Sequence, residues 1–395
     1  MNFKESALSI KDKLIEFRRD FHSHPELSFQ EERTSAVIRK FLNDNGIEIQ
    51  EIGSGYSVVG IIRGAYPGKT FAIRGDMDAL PMPELNDVPY KSTVENVMHA
   101  CGHDGHTASL MGAALLLNSV KDQMHGNVKL FFQAAEEKIP GGAKGMVEHG
   151  ALENPYVDAV MGFHVNNTID VGKIAYGGGA GAAAADTYVF KIIGHGGHGA
   201  YPHMTVDPIA IAAYFITNLQ TIVSRNVDPT EAGVITIGSI HGGSKENIIA
   251  DEVEMRATVR SLNPQVRDLL HKRIAEVCKG TETMYNCKVD YQLEMGYPVL
   301  MNNKEFVEKY AIPSTEKIIG AENIIYMNKS TMGGEDFAYF LQERPGCFGS
   351  LGSRNTEKGL VNGNHTSLFD IDENCLPIGA ASLAQTAWDY LEANK

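Results

Sequence analysis

The residues with the most evident chemistry form one short run, Cys101-Gly102-His103-Asp104-Gly105-His106. It carries four potential metal ligands in six positions, spaced by two glycines. Glycine lets a backbone turn sharply enough for nearby side chains to converge. Thiolate, imidazole and carboxylate are the donors that suit zinc and similar divalent ions. A structural zinc ribbon needs a second cysteine pair at short spacing, and Cys278, Cys287, Cys347 and Cys375 are scattered along the chain. The run is therefore read as part of a metal-dependent hydrolytic site, the alternative being a polar loop around an ordinary buried cysteine.

Other polar clusters follow apolar, strand-like runs. Glu136-Glu137 comes after Val128–Phe132. Alone, such a pair reads as a solvated loop tip. Beside a metal cluster, one carboxylate can bind the ion and the other can act as general base on water. His164 closes the next apolar run, and His365 lies far down the chain in Asn364-His365-Thr366. Each, in isolation, reads more readily as a satisfied core histidine than as a ligand. Asp76 and Asp78 follow Phe71–Ile73, and by themselves read as turn and cap residues.

The elements that must position these groups show in the apolar periodicity. Residues 6–45 are helical in pattern, interrupted at His24-Pro25-Glu26. Strands are predicted at Ser57–Arg63, Thr70–Arg74, Asn127–Gln133 and Ala159–His164, with Pro67-Gly68 as a turn and a helix over Thr107–Leu117. Alternating strands and helices predict an α/β fold with a mainly parallel sheet flanked by helices, where ligands gather at the carboxyl ends of strands.

The stretch Gly177–Ala185 breaks this composition and reads as a flexible or closely packed joint. It has neither a phosphate loop's Lys-Ser/Thr ending nor dinucleotide glycine spacing. Beyond it, strands over Asp186–Ile193, Gly233–His241, Glu252–Ser261 and Lys288–Glu294 and helices over Asp207–Arg225 and Pro264–Lys279 make a small α+β unit. The tail, with a helix over Leu376–Leu391, returns to α/β character. The expected organisation is a catalytic metal-binding domain of residues 1–182 and 298–395 with an inserted domain of residues 183–297.

Bulk properties narrow the function. A chain of 395 residues fits about two domains. Acidic residues outnumber basic ones, 49 to 35, with no basic patch, which argues against nucleic acid as a partner. No long apolar span or uncharged signal core appears, so a cytoplasmic enzyme without membrane contact is expected.

Taken together, the motifs resemble the M20 family of metallopeptidases and amidohydrolases, in the N-acyl-amino-acid amidohydrolase branch that includes hippurate and indole-acetyl-amino-acid hydrolases. The matching segments are His22-Ser23-His24-Pro25-Glu26-Leu27, Gly75-Asp76-Met77-Asp78-Ala79-Leu80-Pro81, His99–His106, Phe132–Glu137, Gly162-Phe163-His164, Gly197-His198-Gly199-Ala200, Met332–Phe337, and His365 with Phe369.

The resemblance implies two divalent ions per subunit, zinc or manganese with cobalt or nickel as alternatives, held by Cys101, His103, Glu137, His164 and His365. Asp104 and His106 then become supporting residues. Glu136 becomes the general base. The inserted domain becomes a lid and dimerisation domain in a homodimer or higher homo-oligomer, with His198 reaching the other subunit's site to stabilise the oxyanion. Asn247 and Arg260 become substrate-binding residues, the guanidinium fork suiting the free carboxylate of an N-acyl-amino acid. The implied reaction is hydrolysis of N-acyl-L-amino acids to a carboxylate and a free amino acid. The alternatives are a dipeptidase or carboxypeptidase on the same site, and a catalytically silent binding protein.

Overall fold

The short strand Glu48–Gln50 (β1) and the apolar run Val58–Arg63 (β2) begin an eight-stranded sheet in the computed structural model, which describes residues 2–395. Tyr66–Asp76 (β3), His125–Gln133 (β4), Ala159–Asp170 (β5), Ile174–Tyr176 (β6), Ile324–Tyr326 (β7) and Gly346–Arg354 (β8) complete it. The spatial order is β1-β2-β4-β3-β5-β8-β6-β7. Its central strands β4, β3, β5 and β8 run parallel, with Ile73 registered against both Leu130 and Met161. Antiparallel pairing is confined to β1 with β2, β2 with β4, and β8 with β6.

Parallel strands buried on both faces read as continuous apolar runs. Accordingly Thr70–Asp76 of β3 and Val128–Gln133 of β4 are buried without interruption. Helices Lys11–Ser23 (α1), Glu32–Asp44 (α2), His103–Asn118 (α3) and Cys375–Ala393 (α4) belong to the same unit. Helix α3 is buried almost all round, so it has no polar face. A Cβ on its Gly112 would stand 2.8 Å from both Ala380 and Leu14, so the missing side chain lets α4 and α1 approach closely.

This unit comprises Met1–Gly179, Met301–Lys329 and Asp336–Lys395. A second comprises Ala180–Leu300 and Ser330–Glu335. The second holds an antiparallel sheet in the order Gly233–Gly242, Glu252–Ser261, Ala184–Ile193, Lys288–Glu294. Alternate residues of its central strands are buried against helices Pro208–Asn226 and Pro264–Tyr285, around Phe190, Phe215, Met255 and Leu270. Both helices start by one device: Asp207 and Asn263 accept hydrogen bonds from first-turn N–H groups, and proline occupies the next position.

Three local expectations are sharpened. Helix α3 begins at His103 rather than Thr107, because Gly102 (φ +92°) adopts the left-handed conformation that turns the chain into the helix. Pro67-Gly68 lies inside β3, where the register shifts between Tyr66 and Thr70. The small-residue stretch is the closely packed kind: Gly179–Ala182 is a strand, Ala182–Ala185 are buried, and within the second unit Ala183 and Ala185 N–H donate to the Gly333 and Tyr297 carbonyls. No helix among the described residues is long and apolar enough to cross a membrane.

Candidate metal centre

Because β3, β4 and β5 are parallel and neighbouring, the residues at and beyond the carboxyl end of each reach one side of the sheet. Beyond β3 lies Asp78 and beyond β4 lie Glu136 and Glu137; β5 runs on to Asp170 rather than ending at His164, and carries His164 just past its last pairing with β3, Gly162 against Arg74. The start of α3 adds Cys101 and His103, and the loop before α4 adds His365.

All five residues implied as ligands converge. Cys101 Sγ lies 3.2 Å from His164 Nε2 and 3.3 Å from His365 Nε2. Glu137 Oε1 lies 3.2 Å from His365 Nε2 and 3.9 Å from His103 Nε2. The donor atoms fall into overlapping groups within 4.8 Å of one another: Cys101–His103–His164, Cys101–Glu137–His365, and His103–Glu136–Glu137. Glu136 thus stands at the edge of the cluster, itself buried.

The surroundings orient these atoms. His103 Nδ1 faces Asp78 Oδ1 at 3.0 Å, and His164 Nδ1 donates to the Val165 carbonyl at 2.7 Å. Each imidazole therefore turns Nε2 inward, the arrangement typical of metal-ligating histidines. His103 Nε2 is buried and hydrogen-bonded to nothing. An orphaned, inward-facing imidazole nitrogen beside a thiol, two more imidazoles and a carboxylate fits a divalent cation.

The protonation pattern agrees with that fit. Burial would raise the Cys101 thiol, but the His164 and His103 imidazoles outweigh it and hold the group well below its usual range. Burial would lower His164, but the Cys101 thiolate overrides it, giving about 9. Hydrogen bonds to Cys101 and Glu137 push His365 up to about 10. Without a cation, protons neutralise this cluster of donors; a cation exchanges for them.

The other members of the Cys101–His106 run are engaged elsewhere, although His106 also lies within 4.8 Å of the Asp76 and His103 donors. Asp104 is paired with Arg18 at 2.7 Å and His22 at 2.8 Å, all fully buried. His106 Nδ1 contacts Asp76, while its Nε2 accepts from Val165 N–H at 2.8 Å, so both ring nitrogens are committed. Asp76 is held by Arg74, whose guanidinium also donates to Gln133 and Asp336. Isolated reading of Asp76 and Asp78 as turn residues missed these supports; the signal was their place just past an apolar strand. The role of His22 was equally hidden, since its partners Asp104 and Glu84 lie 82 and 62 positions away.

His198, Asn247 and Arg260 belong to the second unit. There His198 pairs with Ile248 in a two-stranded ribbon, and Gly199 N–H donates to the Asn247 carbonyl. Arg260 donates through Nε to Thr258 Oγ1 and through Nη1 to the Met332 carbonyl.

A cluster of N, O and S donors with a buried carboxylate beside it, at the carboxyl edge of a parallel sheet, defines the chain as a hydrolytic enzyme of the metal-binding α/β class. Comparison with known proteins makes the assignment specific. The sequence pattern of peptidase family M20/M25/M40 matches residues 72–389, and the chain belongs to that family. It is 41% identical to thermostable carboxypeptidase 2 of Saccharolobus solfataricus, covering 97% of each chain. It is 40% identical to an N-acyl-L-amino acid amidohydrolase of Geobacillus stearothermophilus, over 75% of this chain and 80% of that one. Among solved structures, a dinuclear metal-binding M20 peptidase of Bacillus subtilis superposes with a TM-score of 0.83 at 32% identity, covering 97% of this chain and 99% of that one.

Proposed function

We propose that this enzyme hydrolyses the amide bond of N-acyl-L-amino acids, releasing a carboxylate and a free amino acid. The observation that carries the reading is the convergence of Cys101, His103, Glu137, His164 and His365 with Glu136 at the edge of their donor cluster. Those five would hold two divalent ions, zinc or manganese with cobalt or nickel as alternatives, since mixed N, O and S donors do not separate them. Bound there, the ions supply Lewis acidity to the scissile carbonyl and to the attacking water.

Glu136 takes a proton from the attacking water and returns it to the leaving amine. Glu136 is buried, with its donor atom beside those of Glu137 and His103. His198 is suited to stabilise the oxyanion from a second subunit of a homodimer: its Nδ1 accepts from Ala200 N–H at 3.1 Å, which leaves the Nε2 proton to donate. Arg260 has Nη2 available for a substrate carboxylate, since Nε and Nη1 are the atoms bonded internally. Asn247, anchored through its backbone to Gly199, completes the substrate contacts. In this reading the inserted unit is both lid and dimerisation domain.

The 41% identity to a carboxypeptidase favours one competing reading, cleavage of peptides from the carboxyl end on the same site. A panel of N-acetyl-, N-benzoyl- and indole-acetyl-amino acids against di- and tripeptides, with zinc or manganese added, tests both. Higher kcat/KM on the acyl-amino acids supports the amidohydrolase; higher values on the peptides refute it in favour of the carboxypeptidase.

A further inference from the structure

The turn that carries Glu136 and Glu137 is held by side chains from elsewhere in the fold. Ala135 has φ +55°, in the left-handed region that costs a residue with a side chain about 1 kcal/mol or more. Such a conformation persists only where its surroundings over-determine it. Here Ala134 N–H donates to Ser57 Oγ at 3.1 Å, Ala135 N–H to Glu31 Oε1 at 2.7 Å, and Glu137 N–H to Asp78 Oδ2 at 2.9 Å. The Ala135 carbonyl accepts from Gly142 N–H at 3.0 Å. Gly142 cannot carry a side chain, because a Cβ there would stand 1.8 Å from the Ala134 carbonyl oxygen.

Within this set Glu31 is a member whose side chain is not needed to start a helix. It is fully buried immediately before α2, and its Oε2 makes no hydrogen bond. The N-terminus of α2 does not use it as a side-chain cap; Glu26 does that work, accepting from Arg33 and Thr34 N–H. A carboxyl kept in the interior is expensive, and beyond the local N–H groups of Phe29 and Glu31 itself the bond that offsets the cost is the one to Ala135 N–H. That bond fixes the strained residue next to Glu136.

We infer that Glu31 is a positioning residue for Glu136: by holding the Ala135 N–H it locks the left-handed turn that aims the Glu136 carboxylate at the metal cluster. This rests on the reading of Glu136 as general base. Glu31 does not touch the reacting atoms; it removes the freedom of the turn to relax toward ordinary backbone angles, which would swing Glu136 away. Misplacement of a catalytic group by about 1 Å costs up to about 100-fold in rate.

The test is steady-state kinetics on an N-acyl-amino acid with Glu31→Leu, Glu31→Gln and Glu136→Gln, alongside metal content and Tm. Glu31→Leu is expected to lower kcat at least about tenfold, with KM changed less than about twofold and bound metal as in the wild type. Glu31→Gln keeps an acceptor oxygen and recovers most of kcat. If Glu31→Leu does not fold, Glu31→Asp, one methylene too short to reach Ala135 N–H, must show the same split. The inference is overturned if kcat is unchanged in Glu31→Leu, or if kcat and metal content fall together, or if Gln does not rescue. Full turnover in Glu136→Gln sinks the general-base reading itself. An inactive Glu136→Gln with a fully active Glu31→Leu sinks only the role of Glu31.

Discussion

Replacing Asp78 with asparagine changes one oxygen for an NH2 group and hardly alters shape, yet it should displace a proton at the metal centre. Asp78 is buried and accepts three hydrogen bonds: from His103 Nδ1–H at 3.0 Å, from Glu137 N–H at 2.9 Å and from Ser28 Oγ–H at 2.7 Å. Asparagine has one acceptor oxygen. If that oxygen stays on Glu137 N–H and Ser28, the new NH2 faces His103 Nδ1. The imidazole must then accept through Nδ1 and carry its proton on Nε2, the atom that faces the cluster. If the amide turns the other way, its NH2 opposes the Glu137 N–H, leaving a buried donor unpaired at about 1–3 kcal/mol. Losing this kind of support costs roughly 10- to 100-fold in metal affinity, or about 1.4–2.7 kcal/mol. Titration of dialysed Asp78→Asn with zinc or manganese, followed by calorimetry, should show that weakening, with activity partly restored by excess metal. An affinity within twofold of wild type would mean that Asp78 does not set the His103 tautomer and that the orientation argument is wrong.

Further expectations follow from other sites. Glu136→Gln should reduce kcat by about 100- to 10,000-fold while Tm and bound metal stay at wild-type values, measured by kinetics, thermal melting and elemental analysis. Gly102→Ala forces a side chain into a φ of +92° with its Cβ 2.3 Å from Val165 Cγ2, so it should lose about 1–3 kcal/mol and part of its metal; an unchanged Tm would contradict this. In the second unit, burial would raise Asp186, but hydrogen bonds from Arg267, His271 and Gly296 N–H outweigh it and hold the carboxyl at about 2. Its unfolded value is about 3.9. The resulting stabilisation, about 2–3 kcal/mol, is complete above that value and is lost as pH falls from about 4 to about 2. Asp186→Asn should therefore melt below wild type at neutral pH, the gap closing near pH 2.

Much of the fold is local in origin. The parallel strands announce themselves as apolar runs, and the helices of the second unit carry Asp207-Pro208 and Asn263-Pro264 at their starts. The beginning of α3 was less visible. His103–His106 are polar enough to suggest a loop, and only Gly102's backbone and the burial of Asp104 by Arg18 make them a first helical turn. The stretch Gly177–Ala185 left two readings open, because small residues suit both a mobile joint and close packing; burial of Ala182–Ala185 decides for packing.

The sequence by itself determined the chemical inventory: a thiol, imidazoles and carboxylates placed just past strand-like runs, in motifs specific enough to indicate the family. That inventory is local, since residue type and hydrophobic period depend on near neighbours along the chain. The family resemblance separates Cys101 and His103 as ligands from Asp104 and His106; the tertiary structure supplies the physical reason for that division. Cys101 and His103 face the cluster, whereas Asp104 turns to Arg18 and His22, and His106 to Asp76 and Val165 N–H. Those partners lie tens of residues away, and a hydrogen bond between distant residues leaves no period in the sequence. The same reason kept the partners of Asp78 and the role of Glu31 from view. Their meaning lies in the N–H groups they hold, and these come into reach only when β3, β4 and the chain leading into α2 are packed together.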